Sequence, residues 1–174
     1  MTRFAAFFCA AALLVMPVVT QARSPELADA WNGAEINWRS MQGGVKEATQ
    51  TGKTVVLVFH ASWCSACKKY REVFKDPAIV EAARGYVMIL VDVDKDPAAN
   101  GAFSPDGTYV PRTLFISPEG DVRPDLTGKT DPEHPHTIDI TGPGELLSLM
   151  KRGQPDGHGS GKPVLRDHSQ QASQ

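Results

Sequence analysis

Residues 55–70 read VVLVFHASWCSACKKY, and the fold follows from how this stretch divides. Val55 to Phe59 is an unbroken apolar run of strand length. Apolarity at every position marks a strand covered on both faces, as in an α/β core. His60-Ala61-Ser62-Trp63 ends it, and Cys64 and Cys67 follow at the head of a charged segment of helix formers, Lys68 to Glu72. Ser62 is placed to cap that helix. Cys64 then falls in the first turn and Cys67 one turn later, on nearly the same face.

Such a placement carries chemistry. Unpaired backbone N–H groups and the positive end of the helix dipole favour an anion in the first turn. Cys64 should therefore favour its thiolate, which is the nucleophile of disulfide exchange. Cys67 is near enough to close a small ring and expel a mixed disulfide. A CxxC pair alone is a modest signal; on a strand–helix junction it is a strong one.

The chain has 174 residues, the size of one ordinary domain. Its 18 basic and 20 acidic residues leave a net charge of -2, and no long basic cluster invites a nucleic-acid partner. Arg3, an apolar run from Phe4 to Val19 and a small-residue exit at Ala22 have the form of a secretory signal over residues 1–22. The run holds Pro17 and is short for a membrane span, which needs about 20 residues. An uncleaved anchor is the alternative; Cys9 lies inside the run, where a lipidated cysteine would follow it. Removal of the segment leaves an exported chain with no stable membrane insertion, periplasmic in a Gram-negative bacterium and otherwise in a secretory compartment. Cys64 and Cys67 are then its two cysteines. A bridge closing so short a loop contributes little as a staple, so the pair reads as working chemistry.

Residues 23–39 form an N-terminal extension in which Trp31 and Trp38 are assigned edge packing. The segment 40–50 reads as a helix with Gly43 and Gly44 near its front, a weak stripe of Val45 and Ala48, and a stop at Thr51-Gly52-Lys53. Asp76-Pro77 interrupts the dithiol helix, and Pro77 opens a second one closed by Gly85. Tyr86 to Val91 is a strand, and the Pro- and Gly-rich residues 96–109 a loop with one helical turn. Val110-Pro111 heads a strand to Ile116, and Asp121 to Leu126 pairs back as a hairpin arm. Gly142 to Arg152 carries a helical apolar stripe. The domain thus spans 40–152, and the polar residues 153–174 read as a disordered tail with isolated His158 and His168. Asp92 and Asp94, at a strand end, read as a solvated turn with no metal.

The strings GVKEATQTGKTVVLVFHASWCSACK and FSPDGTYVPRTLFISPEGDVRP resemble the thioredoxin-like family. Within it they are similar to the small single-domain thioredoxin-like proteins of the endoplasmic reticulum, their anterior-gradient relatives and bacterial exported relatives. The resemblance covers residues 34–152 and implies an α/β thioredoxin-like fold, a central mixed sheet flanked by helices. It implies that Cys64 attacks, Cys67 resolves and Trp63 packs near the disulfide. Pro111 matches the family's cis-proline, which leaves the Val110 backbone free to pair with an extended substrate. Taken without the resemblance, Pro111 equally suits a trans bond at a strand's first position. The buried acid of ordinary thioredoxin would fall at Val58, where this chain has none; Glu47 or Asp92 could stand in through water. Ser65-Ala66 fills the dithiol where relatives carry Gly-Pro or Gly-His. His60 sits where the small reticulum proteins also carry histidine, placed either to tune the thiolate or simply to pack.

The reading that follows is an exported protein thiol–disulfide oxidoreductase. Its partners are protein thiols or disulfides and an unidentified redox partner, and it needs no dissociable cofactor because the thiols carry the electrons. Two alternatives belong to other classes. One is a soft-metal module holding Cu(I) on the two thiolates with help from His60, His134 or His136, though these histidines lack zinc-site spacing. The other is a chaperone-like protein that binds clients in the groove beside Pro111.

Overall fold

The computed structural model describes residues 25–154. The leader at 1–22, Cys9, His158, His168 and all but the first two residues of the tail lie outside the described residues. The chain forms α1 (Pro25–Ala30), β1 (Trp38–Arg39), α2 (Met41–Thr51), β2 (Val55–His60), α3 (Ser65–Val73), α4 (Pro77–Ala83), β3 (Val87–Asp92), α5 (Pro97–Ala102), β4 (Arg112–Ile116) and α6 (Gly144–Gly153). Four strands make one mixed sheet in the order β1-β3-β2-β4. β1 and β2 run parallel to β3, and β4 runs antiparallel to β2.

β2, β3 and β4 are buried at every position, the signature of a sheet covered on both sides. Strand alternation then sorts the residues between two cores. Val56, Val58, Met88, Leu90 and Phe115 face the apolar sides of α3, α4 and α6. Val55, Leu57, Val87, Ile89 and Leu114 face Ala48 of α2 and Ala99 of α5. Among the described residues no helix is long and apolar enough to cross a membrane.

Local chemistry sets the helix ends. Ser40 caps α2 through Gly43 N–H, and Gly52 closes it at a φ of 66°, a left-handed conformation that suits glycine. The buried face of α2 differs from the expected stripe: Val45 is exposed, and Gly44 and Ala48 are buried. Gly44 is there because β3 comes so close that a Cβ would lie 2.3 Å from Ile89 Cδ1. Asp76 and Asp96 cap α4 and α5, each followed by proline in the first turn.

Three further expectations need correction. Trp31 and Trp38 do more than cover an edge. Both are buried in a cluster of edge-on rings with Tyr70 and Phe74, and Trp38 Nε1 donates to Trp31 O. The hairpin arm after β4 shrinks to one bridge, Ile116 to Val122, because Pro124 and the Arg123–Asp125 ion pair turn the chain away. β4 begins at Arg112 rather than Val110, since Pro111 has no N–H for the ladder; the Val110–Pro111 bond is cis.

Candidate active site

β2 and β3 end side by side, and the chain leaving β2 turns at once into α3. Cys64 N–H donates to Ala61 O at 3.3 Å, a tight turn that delays the helix. The N-terminal cap is therefore Cys64 itself, not Ser62: Cys64 Sγ accepts from Cys67 N at 3.0 Å. The correction moves the attacking sulfur from the first turn to the helix mouth, where it takes the place of a capping oxygen. Cys64 and Cys67 are joined in a disulfide with their Cα atoms 5.3 Å apart. Cys67 is 2% exposed and Cys64 6%. When the bond is reduced, the same amide that reaches Cys64 Sγ is positioned to stabilise a thiolate there.

The Val110–Pro111 loop lies against the pair, and Val110 O stands 3.7 Å from Cys64 Sγ. It is held from behind. Arg112 is fully buried over the Phe59 ring, its guanidinium 4.3 Å from the ring centroid. It donates to Tyr109 O, Asn100 O, Asn100 Oδ1 and Phe103 O. Tyr109 OH donates to Asp106, and His136 Nδ1 lies 2.9 Å from the same carboxylate. Burial works to raise Asp106, but the hydrogen bonds from Tyr109 and His136 outweigh it and hold the carboxyl below its ordinary range.

Trp63 stands 67% exposed beside the disulfide, its Nε1 tethered to Asp94 Oδ2 at 2.9 Å. His60 is buried at the end of β2, its ring centroid 5.2 Å from that of Trp31 and tilted against it. Burial lowers its pKa below the ordinary imidazole value, and the Asp92 charge works against that shift. The two candidates for the missing acid part company. Glu47 binds Arg39 on the α2 side of the sheet, at 2.6 Å, whereas Asp92 is in register with His60 and lines a cavity with Cys67. His134 pairs with Asp131 and His136 with Asp106. Among the described residues no group of three or more His, Cys, Asp and Glu side chains is arranged to hold a metal ion.

The structure thus brings Cys64, Cys67, Val110 and Pro111 together, with His60 lining a cavity beside Cys67 and Trp63 exposed next to Cys64 in the chain. Sequence reasoning missed Trp31, which walls the cavity next to Cys67. Its signal was spread over distant positions, since the ring meets His60 and Tyr70 only in the folded sheet. The arrangement is that of a redox-active CxxC pair suited to thiol–disulfide exchange with protein thiols.

Comparison with known proteins agrees. A family model described as thioredoxin-like matches residues 37–118. The chain is 31% identical over 122 residues to anterior gradient protein 3 of Xenopus tropicalis, covering 67% of this chain and 71% of that one. It is 33% identical over 89 residues to the thiol:disulfide interchange protein DsbD 1 of Pseudomonas aeruginosa, covering 49% of this chain but 15% of the longer relative. The solution structure of a thioredoxin from Thermus thermophilus superposes with a TM-score of 0.55 at 18% identity, over 77% of this chain and 98% of that one, which supports the fold.

Proposed function

The chain belongs to the thioredoxin-like family, and on that premise we propose that it is an exported protein thiol–disulfide oxidoreductase. Cys64 is the attacking thiolate and Cys67 the resolving thiol. The observation that carries this reading is the hydrogen bond from Cys67 N to Cys64 Sγ at the mouth of α3, next to the Val110 carbonyl. Reduced Cys64 attacks a sulfur of the substrate disulfide, forms a mixed disulfide and releases one substrate thiolate. Cys67 then attacks Cys64 Sγ and releases the second. The substrate gains two electrons and two protons, and the enzyme disulfide is restored. Run backwards, the sequence oxidises a substrate dithiol.

The Val110 backbone pairs with an extended substrate segment, Pro111 keeps that edge against the sulfurs, and exposed Trp63 supplies an apolar face beside them. Exported placement is supported by the leader-like residues 1–22 and by similarity to a thiol:disulfide interchange protein; in a Gram-negative cell the compartment is the periplasm. The domain of this reading is residues 40–152, and β1 of the preceding extension adds an edge strand to its sheet.

The test is exchange with a protein disulfide such as that of insulin. Cys64→Ser is expected to lose turnover entirely. Cys67→Ser should stall as a mixed disulfide, visible by mass spectrometry of the trapped adduct. Normal turnover in Cys64→Ser would sink the assignment, and so would full turnover without Cys67.

A further inference from the structure

Cys67 must lose its proton before it attacks, and at 2% exposure it has little direct contact with bulk solvent. The neighbouring face of β2 carries Val56, Val58 and His60 in alternation. Val58 has no proton to exchange. His60, one pleat nearer the strand end, is 5% exposed, and its Nε2 has no hydrogen-bond partner among the described residues. A buried nitrogen left unpaired is costly and calls for an explanation. Asp92 stands in register on β3, so both side chains leave the sheet on the same side.

His60, Asp92 and Cys67 line one cavity of about 370 Å³. Water takes about 30 Å³ in the liquid, so several molecules fit. The other charged groups around the imidazole are Lys68 and Arg71 of α3, Lys95 beyond β3, and Asp94 in the same turn.

Building on the exchange reading above, we propose that His60 is the proton acceptor for the Cys67 thiol, reached through solvent in this cavity, with Asp92 as its positioning residue. The acid that the resemblance to ordinary thioredoxin would put at the place of Val58 is replaced by a base one pleat further along the same face. In the resolving step, the Cys67 S–H proton passes to His60 Nε2. The Cys67 thiolate forms a bond to Cys64 Sγ, and the Cys64–substrate S–S bond breaks. The electron pair leaves on the substrate sulfur, and His60 returns its proton through the cavity to that thiolate or to solvent. Burial keeps the imidazole neutral near neutral pH, the state an acceptor requires, and the Asp92 carboxylate stabilises the imidazolium formed in passing.

The proton coupling is read without any substrate by NMR titration of the reduced full chain, following the Cys67 ¹³Cβ shift. The wild-type curve should show a second inflection where His60 titrates. His60→Gln should erase it, and Asp92→Asn should move it to lower pH, because a charge favouring the imidazolium is gone. In single-turnover release of thiol from the Cys64 mixed disulfide, His60→Gln should be slower by roughly 10²-fold and lose the acid limb of its pH profile. Alkylation of Cys64 should be unaltered. A folded His60→Gln protein that keeps both the inflection and the acid limb would overturn the proposal. If His60→Gln does not fold, an unmoved inflection in Asp92→Asn does the same. Wild-type protein that shows the inflection but no exchange would overturn the oxidoreductase reading and leave the coupling standing.

Discussion

His60 illustrates what one side chain's surroundings predict. Its imidazole is buried beside Trp31, and desolvation lowers its pKa in spite of Asp92. Above the ordinary imidazole value of about 6.5 the ring is neutral in both folded and unfolded chains, and it contributes no pH dependence. Below that value the unfolded chain binds the proton first. Stability therefore falls as the pH drops from about 6.5 through the lower folded pKa. Denaturant melts on either side of this window should show wild-type protein losing more stability on acidification than His60→Gln. A difference between the two that does not change with pH would mean that His60 is not held neutral by the fold.

α2 shows how an element can follow the rules of sequence and still depart from them in detail. Its cap at Ser40 and its stop at Gly52 were legible because capping and left-handed glycine are local chemistry. Its buried face was not, because proximity to Ile89 on β3 sets it. Gly44→Ala puts the two effects in opposition. In an exposed helix the change would gain about 1 kcal/mol of propensity. Here the added methyl would lie 2.3 Å from a buried β-branched side chain, and such overpacking costs about 1–3 kcal/mol. We expect net destabilisation, and a rise in the urea midpoint would show that Ile89 yields. The same division runs through the site. The dithiol, its strand and its helix were readable from adjacent residues. The N-terminal cap was displaced by two residues because a turn from Ala61 to Cys64 intervenes, and the buried Arg112 clamp depends on loop carbonyls that no periodicity reveals.

At the scale of the whole molecule, residues before Ser40 belong to the same core as the dithiol. Trp38 and Arg39 pair with β3, and Trp31 and Trp38 close the ring cluster over Phe74. A chain beginning at Ser40 is expected to lose at least about 3–5 kcal/mol, the cost of removing one buried aromatic side chain. Thermal melts against a chain beginning at Ser24 would measure this, and equal midpoints would show that the early segment is dispensable. The same packing divides the three tryptophans unequally. Trp31 and Trp38 are enclosed, whereas Trp63 faces solvent and is covalently joined to Cys64. The protein therefore carries a built-in optical gauge. The indole most open to external quenchers adjoins the bond that opens and closes, so its emission can follow each electron pair in or out without an attached dye.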